Sequence, residues 1–212
     1  MSPLRRALRG LAAAGFVLGL IVAALAITSD FLELRGLWVA LILVNGWGWI
    51  GAGLFAWGRR PDNRIGSLMV ATGFLWLVGG VGLSDVSLLF TVGQVLGSVF
   101  FAAAIHVLLA FPSGRLETVG QRRIVLFGYV LSTILVFPAF LFTSPEEFCE
   151  RCPDNAFLIE PNQGVAEAIS LVINVLAVGL IAAVLVSLAR RWRRATPPQR
   201  RLMRPVFSAG VA

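Results

Sequence analysis

The stretch VFFAAAIHVLLAFPSGRL, residues 99–116, decides how the rest of the chain is read. It closes an apolar run that begins near residue 88 and is long enough to cross a hydrocarbon core. It holds His106, the single histidine, and then breaks at Phe111, Pro112, Ser113, Gly114 and Arg115. Proline removes a backbone donor and glycine readily ends a helix, so an apolar helix stops here on an arginine-bearing turn. That is how a span leaves a bilayer, and the same pattern recurs on both sides.

Working outward, apolar runs at 10–28, 36–58, 65–83, 88–111, 124–143 and 165–188 are each of spanning length. A hydrophobic fraction of 58% against 14% charged residues leaves too little polar surface to cover a water-soluble core. The expected fold is therefore all-α, a polytopic integral membrane helical bundle of six spans plus the start of a seventh. Net charge is +7, but the arginines cluster at the ends of apolar runs rather than on one face, which argues against nucleic acid as a partner and for the lipid bilayer. Arg5, Arg6 and Arg9 before an apolar run, with Ala24-Leu25-Ala26 after it, resemble a signal peptide, yet the run is longer than such a segment needs.

Charge alternates from loop to loop. Of the 18 basic residues, all but Arg35 and Arg151 fall on one side, and of the 11 acids all but Asp62 and Glu117 fall on the other. Short arginine-rich loops stay cytoplasmic, so the expected location is the cell (plasma) membrane, multi-pass, with residues 1–9 cytoplasmic and 189–204 a basic cytoplasmic loop. Residues 205–212 turn apolar again and read as a truncated start of a seventh span or as an interfacial tail. The expectation is that the chain is the front part of a longer protein.

Ionisable and polar side chains inside spans are the functional candidates, because each is costly in lipid unless partnered. His106 and Tyr129 lie at similar depth near the inner ends of consecutive spans, and a hydrogen bond between them follows if those helices are neighbours. Asn45 and Asn174 fall near the midplane and are candidates to pair across the bundle. Pro138 is placed to kink the outer half of the fifth span. Gly46, Gly48 and Gly51 spell a dinucleotide-like GxGxxG, but mid-span they read as small residues for close helix approach. Gly93 and Gly97 form a GxxxG that is a weak sign of a dimer face. Cys149 and Cys152, spaced CxxC in an outer loop, leave three options open: a disulfide, a redox sensor, or half of an intersubunit zinc site. No recognisable enzyme motif is present.

In order along the chain, RRPDNRIGSLMVATGFLWLVGG (59–80), HVLLAFPSGRL (106–116), CERCPDNAFLI (149–159) and RRWRRATPPQRRLMRPVFSAG (190–210) resemble the polytopic membrane region of actinobacterial sensor histidine kinases. PDNRIG and FPSGR are the most specific elements. The resemblance implies a sensor region in a two-component system, a homodimer, and a following catalytic domain that binds ATP and Mg and serves a response regulator. This chain itself would carry no cofactor. His106, inside a span, cannot be the phosphoacceptor. A stand-alone membrane protein, such as a small transporter or an assembly factor, is the alternative; transport would be favoured by central charges, and the spans have none.

The orientation predicts that reporter fusions at Leu116 and Asn155 read cytoplasmic and external respectively; the opposite pattern would overturn the topology.

Overall fold

The computed structural model describes residues 3–147, 149 and 151–194. The expected seventh segment at 205–212 and the end of the basic loop lie outside the described residues. Among the described residues six helices are long and apolar enough to cross a membrane: α1 (Pro3–Thr28), α2 (Arg35–Arg59), α3 (Ile65–Leu83), α4 (Ser87–Ala110), α5 (Val119–Phe140) and α6 (Gln163–Arg194). The described residues contain no strand. Helices α1 and α6 reach further into the arginine-rich segments than 10–28 and 165–188, because alanine, leucine and arginine all favour helix.

Helix α3 lies at the centre, packing on α1, α2 and α4, while α4 in turn packs on α5 and α6. Glycine sets these distances. A Cβ on Gly53 would meet the Val70 nitrogen at 2.7 Å, and one on Gly73 would meet the Gly46 oxygen at 2.9 Å, so α2 and α3 touch backbone to backbone. On the other side of α3, a Cβ on Gly79 would lie 2.6 Å from the Gly97 Cα, and Gly93 faces the backbone of Gly82. The GxxxG of α4 is thus spent inside the chain. Of the GxGxxG glycines only Gly46 is packed; Gly48 and Gly51 face open space.

Tryptophans tie α1, α2 and α3 together. The Trp47 indole N–H donates to the Gly15 carbonyl at 3.1 Å, and that of Trp76 to the Ile42 carbonyl at 3.1 Å, which leaves neither donor unpaired in an apolar layer. Val22, Ile42, Ile50 and Leu77 form the core between them. At the acid-rich end, the Asp85 carboxylate in the α3–α4 turn accepts from the Asp30 backbone N–H at 3.1 and 3.2 Å and from the Ser29 hydroxyl at 3.3 Å.

Helix α5 is regular only to Val130 and then widens into a π turn, Leu131–Leu135, before the short helix Phe137–Phe140. The disturbance expected at Pro138 therefore begins about two turns earlier, at Leu131. Proline has no N–H, and its ring crowds the carbonyl four residues back, so the preceding turn loosens. The Val136 N–H reaches Leu131 O at 3.1 Å instead of Ser132 O, and the Ser132 carbonyl accepts from the Ser98 hydroxyl of α4 at 2.6 Å. A neighbouring helix thus supplies a donor to the irregular turn.

Gly93→Val should force α3 and α4 apart and lower stability by about 3 kcal/mol or more, the upper part of the usual cost of overpacking. Gly51→Ala, in open space, should leave stability unchanged or slightly raised. Thermal unfolding in detergent compares the two; equal midpoints would count against glycine contact as the organising feature.

Candidate functional site at the arginine-rich end

The site is built from the end of α4 and the start of α3. Pro112 has no N–H to continue the α4 ladder, so the turn closes through Gly114, whose N–H reaches Ala110 O at 2.8 Å. Gly114 has φ of 71°, which side-chain-bearing residues rarely adopt, and a Cβ there would lie 2.5 Å from Asn63 Oδ1 and 2.6 Å from the Ile65 nitrogen. The room is taken by the α2–α3 loop. Asn63 donates from Nδ2 to the Pro112 carbonyl at 2.8 Å, and its Oδ1 accepts the Ile65 N–H at 2.9 Å. One side chain therefore caps α3 and holds the end of α4, which locks PDNRIG onto FPSGR. Ile65, Val107 and Ala110 make the apolar floor beneath, with Phe111 and Leu116 packed against it.

The chain continues directly into α5 through a capping box. The Thr118 hydroxyl accepts the Gln121 N–H at 3.1 Å, and the buried Gln121 amide oxygen accepts the N–H groups of Glu117 and Thr118 at 2.9 and 3.2 Å. The Ser113 hydroxyl lies 3.3 Å from Glu117 Oε1, joining the turn to the cap, and the Arg115 side chain is exposed. Helix α6 joins through Arg191, whose guanidinium donates to the Leu109 carbonyl at 3.2 Å. That carbonyl belongs to the last turn of α4, where carbonyls lack helical donors and the helix dipole favours a cation.

The remaining candidates are distributed differently. His106 Nδ1 and the Tyr129 hydroxyl approach to 3.5 Å, with the rings edge to face at 6.1 Å and 87°, so α4 and α5 bring them together at the outer limit of a hydrogen bond. Asn45 and Asn174 are not brought together: Asn45 lines a groove on α2, Asn174 is exposed on α6, and no hydrogen bond joins them among the described residues. Cys149 and Cys152 are joined in a disulfide. Among the described residues no group of three or more His, Cys, Asp or Glu side chains is placed to hold a metal.

Asn155 was not among the candidates, yet it does in the long loop what Asn63 does at the other end. Its buried amide donates to the carbonyls of Phe140 and Thr143 at 2.6 and 2.9 Å, and its oxygen accepts the Phe157 N–H at 3.0 Å. Next to it the Ala156 N–H donates to the Thr91 hydroxyl of α4 at 2.9 Å. The available signal was the tripeptide Pro-Asp-Asn, which occurs at 61–63 and again at 153–155. Asparagine folds back on the N–H two residues on, and its amide is then left to clamp a neighbour. Arg191 was hidden among many arginines.

Comparison of the chain with protein families, curated proteins and solved structures gives no match.

Asn63→Ala should lower stability by about 1–3 kcal/mol, since both the cap and the clamp are lost. Asn63→Asp keeps an acceptor for Ile65 N–H but loses the donor to Pro112 and sets a carboxylate against a carbonyl. Hydrogen exchange should therefore rise at 111–115 in both variants and at Ile65 only in the alanine variant; wild-type exchange in the alanine variant would rule the clamp out.

Proposed function

We propose that the chain is the membrane-embedded input region of a two-component histidine kinase, with its arginine-rich end in the cytoplasm. The observation that carries the reading is the docking of the two motifs most like that family, 61–66 and 111–115, at the end where α6 leaves the bundle. Helix α6 has 32 residues, about 48 Å of helix against a hydrocarbon core of about 30 Å, so its last turns extend past the bilayer as a rod. Most of α6 faces lipid, with Ala166, Leu180 and Val184 as its buried apolar contacts. So few buried contacts offer less resistance to a shift of α6 than the packed faces of α3 do.

The device then works as follows. A stimulus at the long loop or within the bundle shifts α4 and α5, because Asn155 and Ala156 tie that loop to the ends of both. The shift reaches the arginine-rich end through α4, where Arg191 couples it to α6. The downstream helices respond by a change in the population of two arrangements. ATP and Mg bind, and the response regulator docks, on the domain that follows.

The full-length gene product in vesicles tests this. It should label a histidine from ATP, and Arg191→Gln should alter the labelling rate by about fivefold or more, the lower bound of ordinary allosteric coupling. A gene with no kinase-like sequence after codon 212 would sink the proposal and leave a stand-alone membrane protein, for which solute flux across the vesicle is the next measurement.

A further inference from the structure

Helix α2 has one face that no other described residue covers. Trp38, Leu41, Asn45, Gly48, Ala52 and Phe55 recur at alternating intervals of three and four residues, the spacing of a left-handed helix seam. Trp38, Leu41 and Phe55 are 46%, 50% and 66% exposed, and a Cβ on Gly48 would meet nothing within 4 Å. Glycine inside a helix is costly unless something packs against it, and nothing among the described residues packs against Gly48. The outer half of this face borders a groove of about 700 Å³ walled by Trp49, Met69 and Trp76. Asn45 lines that groove, and its amide has no hydrogen-bond partner among the described residues. In water such an amide would be hydrated; at mid-span it faces hydrocarbon.

What covers the face must offer a donor and an acceptor at the depth of Asn45. Acyl chains offer neither. Two copies of the chain inserted in the same orientation are related by an axis along the membrane normal, so a residue beside that axis meets its own counterpart at equal depth. An amide is donor and acceptor at once and is therefore complementary to itself. No ionisable side chain lies on α2 between Arg35 and Arg59 to oppose the approach. We infer that this face of α2 is the contact surface for a second copy of the chain, with Asn45 paired across the axis and Gly48 and Ala52 letting the backbones come close. The other lipid-facing amide, Asn174 on α6, has the exposed Val178 one turn further along its helix, where α2 has Gly48, so a neighbouring backbone comes less close there. The contact stands whether or not a kinase domain follows.

Cysteine cross-linking in vesicles of phosphatidylcholine and phosphatidylglycerol at high lipid dilution tests the inference, with the loop disulfide left oxidised. Ala52→Cys should form a covalent dimer and Val178→Cys should not. Adding Asn45→Leu to Ala52→Cys should weaken dimerisation by about three- to thirtyfold, the range one interhelical hydrogen bond carries in a bilayer, while Asn45→Gln should preserve it. Circular dichroism checks that every variant keeps its helix content. Cross-linking through Val178→Cys alone would move the contact to α6 and overturn the inference. No cross-link at either position, or no effect of Asn45→Leu, would overturn it equally and leave the face to lipid.

Discussion

Backbone contact along both sides of α3 is the constraint on which the rest of the bundle depends. In a bilayer the hydrophobic effect does not hold helices together, because lipid tails are as apolar as leucine; association comes from close van der Waals contact and from hydrogen bonds that lipid cannot supply. Glycine provides the first. Gly53, Gly66 and Gly73 bring α2 against α3, and Gly79, Gly82, Gly93 and Gly97 bring α3 against α4. Once α3 is held from both sides, the loops at its two ends are fixed relative to the ends of α4, and the clamp of Asn63 on Pro112 and the Asp85 cap on Asp30 become geometrically possible. The glycine pairs come first in the causal order, and the polar clasps refine them.

Several of the hydrogen bonds that join helices follow one rule: side chains in and beside the spans donate to backbone carbonyls that helix geometry has left open or can share. Trp47 and Trp76 do so within the layer, Ser98 does so at the π turn of α5, Asn63 and Asn155 do so at opposite ends, and Arg191 does so on the last turn of α4. A carbonyl in a helix has a second lone pair, so it can accept without giving up its own bond. That lets a bundle with few polar side chains bind its helices without burying two polar side chains per contact. Asn45 and Asn174 depart from this rule, and both look outward.

How much of this was legible in the residues varied with the range of the interaction. The six spans and the ends marked by arginine follow from runs of about twenty residues, and such a signal survives any packing arrangement. The α4 stop at Phe111–Arg115 was legible for the same local reason. Rotation of a helix about its axis was not, because a run apolar all round has no face to read; hence the expectation that Asn45 and Asn174 meet, and the inability to tell packed Gly46 from unpacked Gly48. Clamps such as Asn63 to Pro112 join residues far apart in the chain, and only the docked loops bring them within reach. For His106 and Tyr129, depth and a short connection were enough to place them together, and geometry set their separation at a marginal 3.5 Å.

The uneven packing of α6 bears on function through magnitudes. It is fastened near both ends, by the Asn162 N–H to the Phe142 carbonyl at 3.1 Å and by Arg191 to Leu109 at 3.2 Å, and between them it mostly faces lipid. A hydrogen bond from a charged donor contributes about 1.5–3 kcal/mol, and the coupling energies of ordinary allosteric proteins run about 1–3 kcal/mol. The single Arg191 contact is therefore of the size that the proposed sensor needs to bias α6 between two positions. Contacts like those of α3, where glycine backbones interlock, resist displacement far more strongly, because moving one helix would open voids along its whole length. The fold thus separates a rigid part, α1 to α4, from a light one, and the light part is the helix that carries its arginines away from the bundle.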